Sequence, residues 1–186
     1  LLHLETSDVR VLRYLIHAVE PMDSAFWQQS WGDRAALFER QDCADRTLRR
    51  YLEVNYGPWD RWADGEPFVT AVGARPAGAR FYASDVDDAH FREAAADPVF
   101  LSPYTMIVRA QDGALRARPA HEHFAREHEA SAALLHGTAL MTGEPAFARY
   151  LELRAQALLT DSYATSNQAW AQLEDNLIDV VIGPGP

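Results

Sequence analysis

Apolar residues recur every three or four positions along the first third of the chain, the period of one helix face. In DVRVLRYLIHAVE, following Ser7, the spacing places Val9, Leu12, Leu15, Ile16 and Val19 on one side, with Ser7 as the N-terminal cap. Pro21 predicts the start of a second helix carrying Phe26, Trp27 and Trp31, because proline fits a first turn where its missing N–H is not needed. Asp33 is placed to cap RAALFER. Asp45 is placed to start a helix in which Leu48, Tyr51, Leu52 and Val54 run into Asn55, and Gly57-Pro58 stops it.

The period is lost between Phe68 and Tyr82, where FVTAVGARPAGARFY reads as an irregular loop ordered by packing. Ser84-Asp85 predicts an amphipathic helix through Ala95, broken at Asp97-Pro98. In TMIVRAQDGALRARP, Asp112-Gly113 divides two short alternating runs, the signature of a β-hairpin. Two long helices are expected at about His121–Met141 and Pro145–Leu159, antiparallel across Thr142-Gly143. Ser166 is expected to cap NQAWAQLED, and IDVVIG to close the chain as a buried strand. The fold class that follows is mainly α with a minor β component (α+β): one helix-rich lobe, residues 1–186, with a β-hairpin and a C-terminal strand.

Composition narrows the function classes. Hydrophobic residues make up 48% of the 186 positions, enough for a core and against disorder. The net charge is −10, and the arginines are interleaved with acids rather than gathered in a stripe, so nucleic acid is not expected as a partner. No apolar run reaches the ~20 residues of a membrane span, and the start LLHLETSD lacks the parts of a signal peptide. The single cysteine, Cys43, cannot form an internal disulfide, which fits the cytoplasm. Acidic neighbours argue against a catalytic thiol there. The start without methionine and the abrupt GPGP ending give the expectation of a piece of something larger.

The one cluster that suggests metal chemistry is HEHFAREHE, His121 to Glu129. His121 and His128, seven apart, stand roughly 10 Å apart along a helix, too far for one zinc with bonds near 2 Å. Only His123 with Glu127 has chelating spacing, and a charged solvated face is the simpler account. Nucleophile, phosphate-loop and dinucleotide motifs are absent. So is the glutamate-rich Nudix box.

The run YLEVNYGPWDRW, then EPFVTAVGARPAGARFYASDV, SPYTMIVR, YLELRAQALLTDSY and the ending WxxLxDNxIDVVIGP resemble, in order, the dipeptidyl peptidase III family of zinc metallopeptidases, especially its bacterial members. The likeness covers most of the chain from about Trp27. Arg80 and Ala83 depart from it, where asparagine and proline are expected. The resemblance implies an N-terminal lobe of a hydrolase that removes dipeptides from peptide N-termini, using zinc held outside this chain. None of the family's metal ligands or catalytic residues maps onto these positions. This chain alone is therefore expected to hold no cofactor and to be inactive, with zinc confined to the parent enzyme. The expected partners are a peptide substrate in the parent's cleft and the missing C-terminal zinc lobe, with self-association through an exposed apolar face as a further expectation. Pro76, Ala77 and Gly78 look like the family segment at the edge of the substrate cleft, where glycine permits close approach of a peptide backbone. Three other readings stay open: a peptide- or protein-binding module without enzymatic activity, part of a protein carrying the Nudix name without its box, and a small metal-dependent hydrolase using the 121–129 cluster.

Overall fold

The computed structural model describes residues 4–69, 71–76, 78–83, 85–174 and 176–184. Helices account for 55% of the described residues and the strands form two small antiparallel hairpins, the mainly-α α+β class expected. The residues divide into two compact units, one of residues 1–25 and 119–186, the other Phe26–Arg118.

The first unit holds most of α1 (Thr6–Ser30), then α5 (Ala120–His123), α6 (Ala125–Ala139), α7 (Pro145–Thr160) and α8 (Ala164–Ala171). Pro21 does not begin a new helix but lies inside α1. A proline there removes one intrahelical hydrogen bond, and the remaining bonds carry the helix through. The buried stripe of α1 is Val11, Leu15, Ala18, Met22 and Ala25, whereas Val9, Leu12, Ile16 and Val19 are exposed. Only Leu15 of the expected face is therefore inward. Ser7 is helical rather than a cap; Asp8 supplies the end contact by accepting the Glu5 N–H at 3.0 Å. Helices α6 and α7 pack on each other, burying Leu135, Ala139, Phe147, Leu151 and Leu158. α8 starts at Ala164, so Ser166 is an interior residue and donates to the Tyr163 carbonyl.

Residues 178–183 form no strand, a correction to the expected C-terminal β element. Nor is the segment buried throughout: Ile182 is, while Val181 is 64% exposed, and side chains hold the segment in place of a strand neighbour. Tyr150 Oη donates to the Val180 carbonyl at 2.6 Å and Arg154 Nη1 to that of Ile182 at 3.2 Å.

The second unit contains α2 (Arg34–Glu39), α3 (Arg46–Asn55), β1 (Trp59–Asp60), β2 (Glu66–Pro67), α4 (Asp88–Ala94), β3 (Thr105–Arg109) and β4 (Leu115–Pro119), whose last residue begins the return to the first unit. Both predicted aspartate caps form: Asp33 accepts from Ala36 N and Asp45 from Leu48 N, at 3.1 and 2.8 Å. The Asp112-Gly113 hairpin is β3–β4. The unit's core is Trp27, Leu37, Cys43, Leu52 and Val69, with Phe38, Leu48 and Tyr56 packed around it. The predicted helix from Ser84 is shorter, starting at Asp88 behind Asp87, which accepts from Ala89 N and His90 N; Ser84 lies outside the described residues.

Candidate functional site

The stretch 51–62 is a helix end turned into a short hairpin. α3 stops because Tyr56 adopts a left-handed conformation (φ 52°) and Gly57 follows at φ 146°, letting Gly57 N reach back to the Leu52 carbonyl at 3.1 Å. Trp59 is buried at 6% exposure, tilted against Trp31 with ring centres 5.1 Å apart, and its Nε1 donates to the Gly73 carbonyl at 3.0 Å. Trp62, three residues further on, is 92% exposed. The turn after Asp60 carries its ring away from the core, while its backbone N–H stays on Asp60 Oδ1.

Polar bonds fix this corner. Tyr51 Oη donates to Asp60 Oδ2 at 2.6 Å; that bond holds the Asp60 carboxyl below its usual range and pushes the phenol up. The space enclosed by Asn55, Tyr56, Trp59, Arg61, Gly65 and Arg75 is ≈10 Å³, about that of one water. The aromatic corner is built as a wall, and the space these described residues enclose is too small for a peptide side chain.

The loop after it is ordered by packing, as expected. Arg80 N donates to the Gln29 carbonyl at 3.0 Å, Arg80 Nε to that of Trp31 at 2.8 Å, and Ile107 N to that of Phe81 at 2.8 Å. Of the three residues read as substrate-facing, Pro76 is exposed and its carbonyl accepts from Ala79 N. Gly78 is exposed at φ +70°, and a side chain there would meet the Tyr82 ring at 2.2 Å. Ala77 lies outside the described residues. Glycine at 78 is thus required by its own chain.

The histidines disperse. The helix breaks at Phe124 (φ −110°, ψ 37°), so His123 and Glu127 do not share one continuous helix. His121 Nδ1 lies 2.8 Å from Asp161 Oδ2, and Asp161 also accepts the His121 backbone N–H. His128 is fully buried, donating Nδ1–H to the Leu158 carbonyl at 2.7 Å. Burial lowers its pKa from the ordinary 6.5, the Leu158 bond and Asp161 opposing. Among the described residues no three His, Cys, Asp or Glu side chains converge to hold a metal.

One buried cation escaped sequence reading. Arg154 is 5% exposed, its guanidinium 5.5 Å from the Tyr150 ring centre and 5.3 Å from that of Tyr163. Nη2 donates to Asn167 Oδ1 at 2.7 Å. An arginine in an apolar helical period gives no hint of this. The guanidinium suits such stacking because it is planar and weakly hydrated.

A mainly helical chain whose aromatic wall is fixed, with His121 committed to pairing and His128 to packing, is a structural class before it is an activity. Its solved counterparts are peptidases. Over 97% of its length the chain matches the structure of dipeptidyl peptidase III from Caldithrix abyssi, with a TM-score of 0.81 and 33% identity. Over 92% it matches dipeptidyl-peptidase III from Corallococcus sp. strain EGB, with a TM-score of 0.75 and 27% identity. Among curated proteins, Nudix hydrolase 3 of Arabidopsis thaliana is 22% identical over 243 residues, taking in 99% of this chain. No family model matches. The chain spans about a third of each relative: 36%, 34% and 31%. In fold and in sequence it resembles part of dipeptidyl peptidase III, a hydrolase. Among the described residues no helix is long and apolar enough to cross a membrane.

Proposed function

We propose that this chain is a non-catalytic N-terminal lobe of a dipeptidyl-peptidase-III-like zinc hydrolase, its zinc lying outside these residues and its loop at Pro76–Gly78 bordering the peptide cleft. The observation that supports this reading is the extent of the likeness. It takes in 97% of this chain at 33% identity, yet only 36% of the solved enzyme. The residues present do not fit zinc themselves, since His121 is engaged by Asp161 and His128 is enclosed. The lobe's contribution is a rigid wall: Trp31, Trp59 and the loop hydrogen-bonded to them. A reducing, cytoplasmic setting goes with this reading, Cys43 being the sole cysteine.

The test is zinc per chain in protein purified without chelator or His tag, with mass spectrometry of a peptide incubated with it. Zinc well below one per chain and an intact peptide are expected. Near-stoichiometric zinc, or loss of an N-terminal dipeptide, would overturn the reading. A second reading, a peptide- or protein-binding module without catalysis, is favoured by Trp62, since exposed tryptophans concentrate binding energy at interfaces. The Nudix name comes with a 22% likeness, and the Nudix box is absent from this sequence.

A further inference from the structure

The C-terminal end of α1 borders an open cleft of ≈450 Å³ lined by Trp31, Gly32, Asp33, Leu37, Arg40 and Arg80. That volume lies within the about 300–1,000 Å³ of small-ligand sites. We propose that it binds a short zwitterionic peptide, with the carboxylate on Arg80, the ammonium toward Asp33 and an apolar side chain against Trp31.

The two arginines are not equivalent. Arg40 is already neutralised: its Nε and Nη2 meet both oxygens of Asp42 at 3.0 and 2.7 Å. Arg80 spends only Nε, on the Trp31 carbonyl. Among the described residues its terminal nitrogens have no partner. That one bond, with the Arg80 N–H on the Gln29 carbonyl, positions the guanidinium at the cleft. A fixed planar fork with its outer donors open suits bidentate capture of a carboxylate.

Asp33 supplies the opposite charge. Its Oδ1 is used on Ala36 N, which fixes the side chain at the start of α2. A purely anionic ligand would be repelled by it, and a purely cationic one by Arg80. A molecule carrying both charges satisfies both. The same lining includes Leu37, which is buried, and Trp31, half-buried and tilted against the Trp59 ring. Gly32, at φ +117°, keeps its own position free of a side chain beside Arg80 Nε.

This site does not rest on the zinc-hydrolase reading, and its test involves no turnover. The full chain, labelled with 15N, is titrated with Ala-Phe, with Ala-Phe amide, which lacks the carboxylate, and with N-acetyl-Ala-Phe, which lacks the ammonium. Saturable shifts are expected at Gly32, Ala36 and the Trp31 indole. Arg80→Gln should weaken Ala-Phe about tenfold or more and abolish the preference for the free acid over the amide. Asp33→Asn keeps a competent helix cap and should erase discrimination against the acetylated peptide. Arg40→Gln should change little. Spectra unchanged outside the cleft establish that each variant folds. Equal affinity for the acid and the amide in the native chain, shifts mapping elsewhere, or no saturation by about 10 mM would overturn the proposal.

Discussion

Asn55 joins α3 to the turn that follows it through Arg61: its Oδ1 accepts the Arg61 N–H at 2.9 Å while its Nδ2 donates to the Tyr51 carbonyl at 3.0 Å. Asn55 is buried, and Arg61 stands over the Phe26 ring at 4.8 Å. Asn55→Ala should therefore cost about 1–3 kcal/mol, the penalty of leaving a buried polar group unpaired. Asn55→Asp keeps the acceptor but buries a carboxylate oxygen against the Tyr51 carbonyl, and at neutral pH should cost at least as much. Urea midpoints at constant slope measure both.

Gly78→Ala should destabilise by about 1–3 kcal/mol, combining left-handed strain with the collision at 2.2 Å from Tyr82. The double variant Gly78→Ala with Tyr82→Ala should recover the part due to the collision and none of the strain. Thermal unfolding of the four proteins separates the two terms.

His128 makes stability depend on pH. Its folded pKa is lowered by burial, so the unfolded chain binds the extra proton first as pH falls through about 6.5. Stability is fully present above that pH and is lost as pH drops toward the folded value. Asp161 and Glu127 favour the charged ring and His121 disfavours it, all less than burial does. His128→Asn retains a donor for the Leu158 carbonyl and should flatten the decline between about pH 6.5 and 5. Urea unfolding across that range reads the slope.

Arg154→Ala should cost about 2–4 kcal/mol, because it removes both stacked packing and buried bonds, and should expose residues 178–184 to proteolysis. Arg154→Met restores apolar volume but not the bond to Ile182. It should recover stability more than protection of that segment, and limited proteolysis followed by mass spectrometry would show the split.

Local chemistry was the legible part. Asp33 and Asp45 cap their helices because an N-cap needs only its own side chain and amides two or three residues on. The β3–β4 turn was equally readable from Asp112-Gly113. The inward face of α1 was not, because hydropathy weights Leu12 and Ile16 above Ala18 and Ala25, and close packing chose the alanines. Trp59 and Trp62, three apart, part company where a turn sets direction by backbone angles rather than period. The partner of His121 lies forty positions away in sequence, and only tertiary packing reveals it. The pairing of Arg80 with the end of α1 was hidden for the same reason.

Cys43 is fully buried in the second unit beside Trp27, Leu37 and Leu52, and burial raises its thiol pKa. Both effects keep the native thiol silent toward alkylating reagents. As the first unit has no cysteine, the rate of modification is a clock for openings of residues 26–118 alone. Loosening confined to the helices of the other unit would leave that clock unchanged.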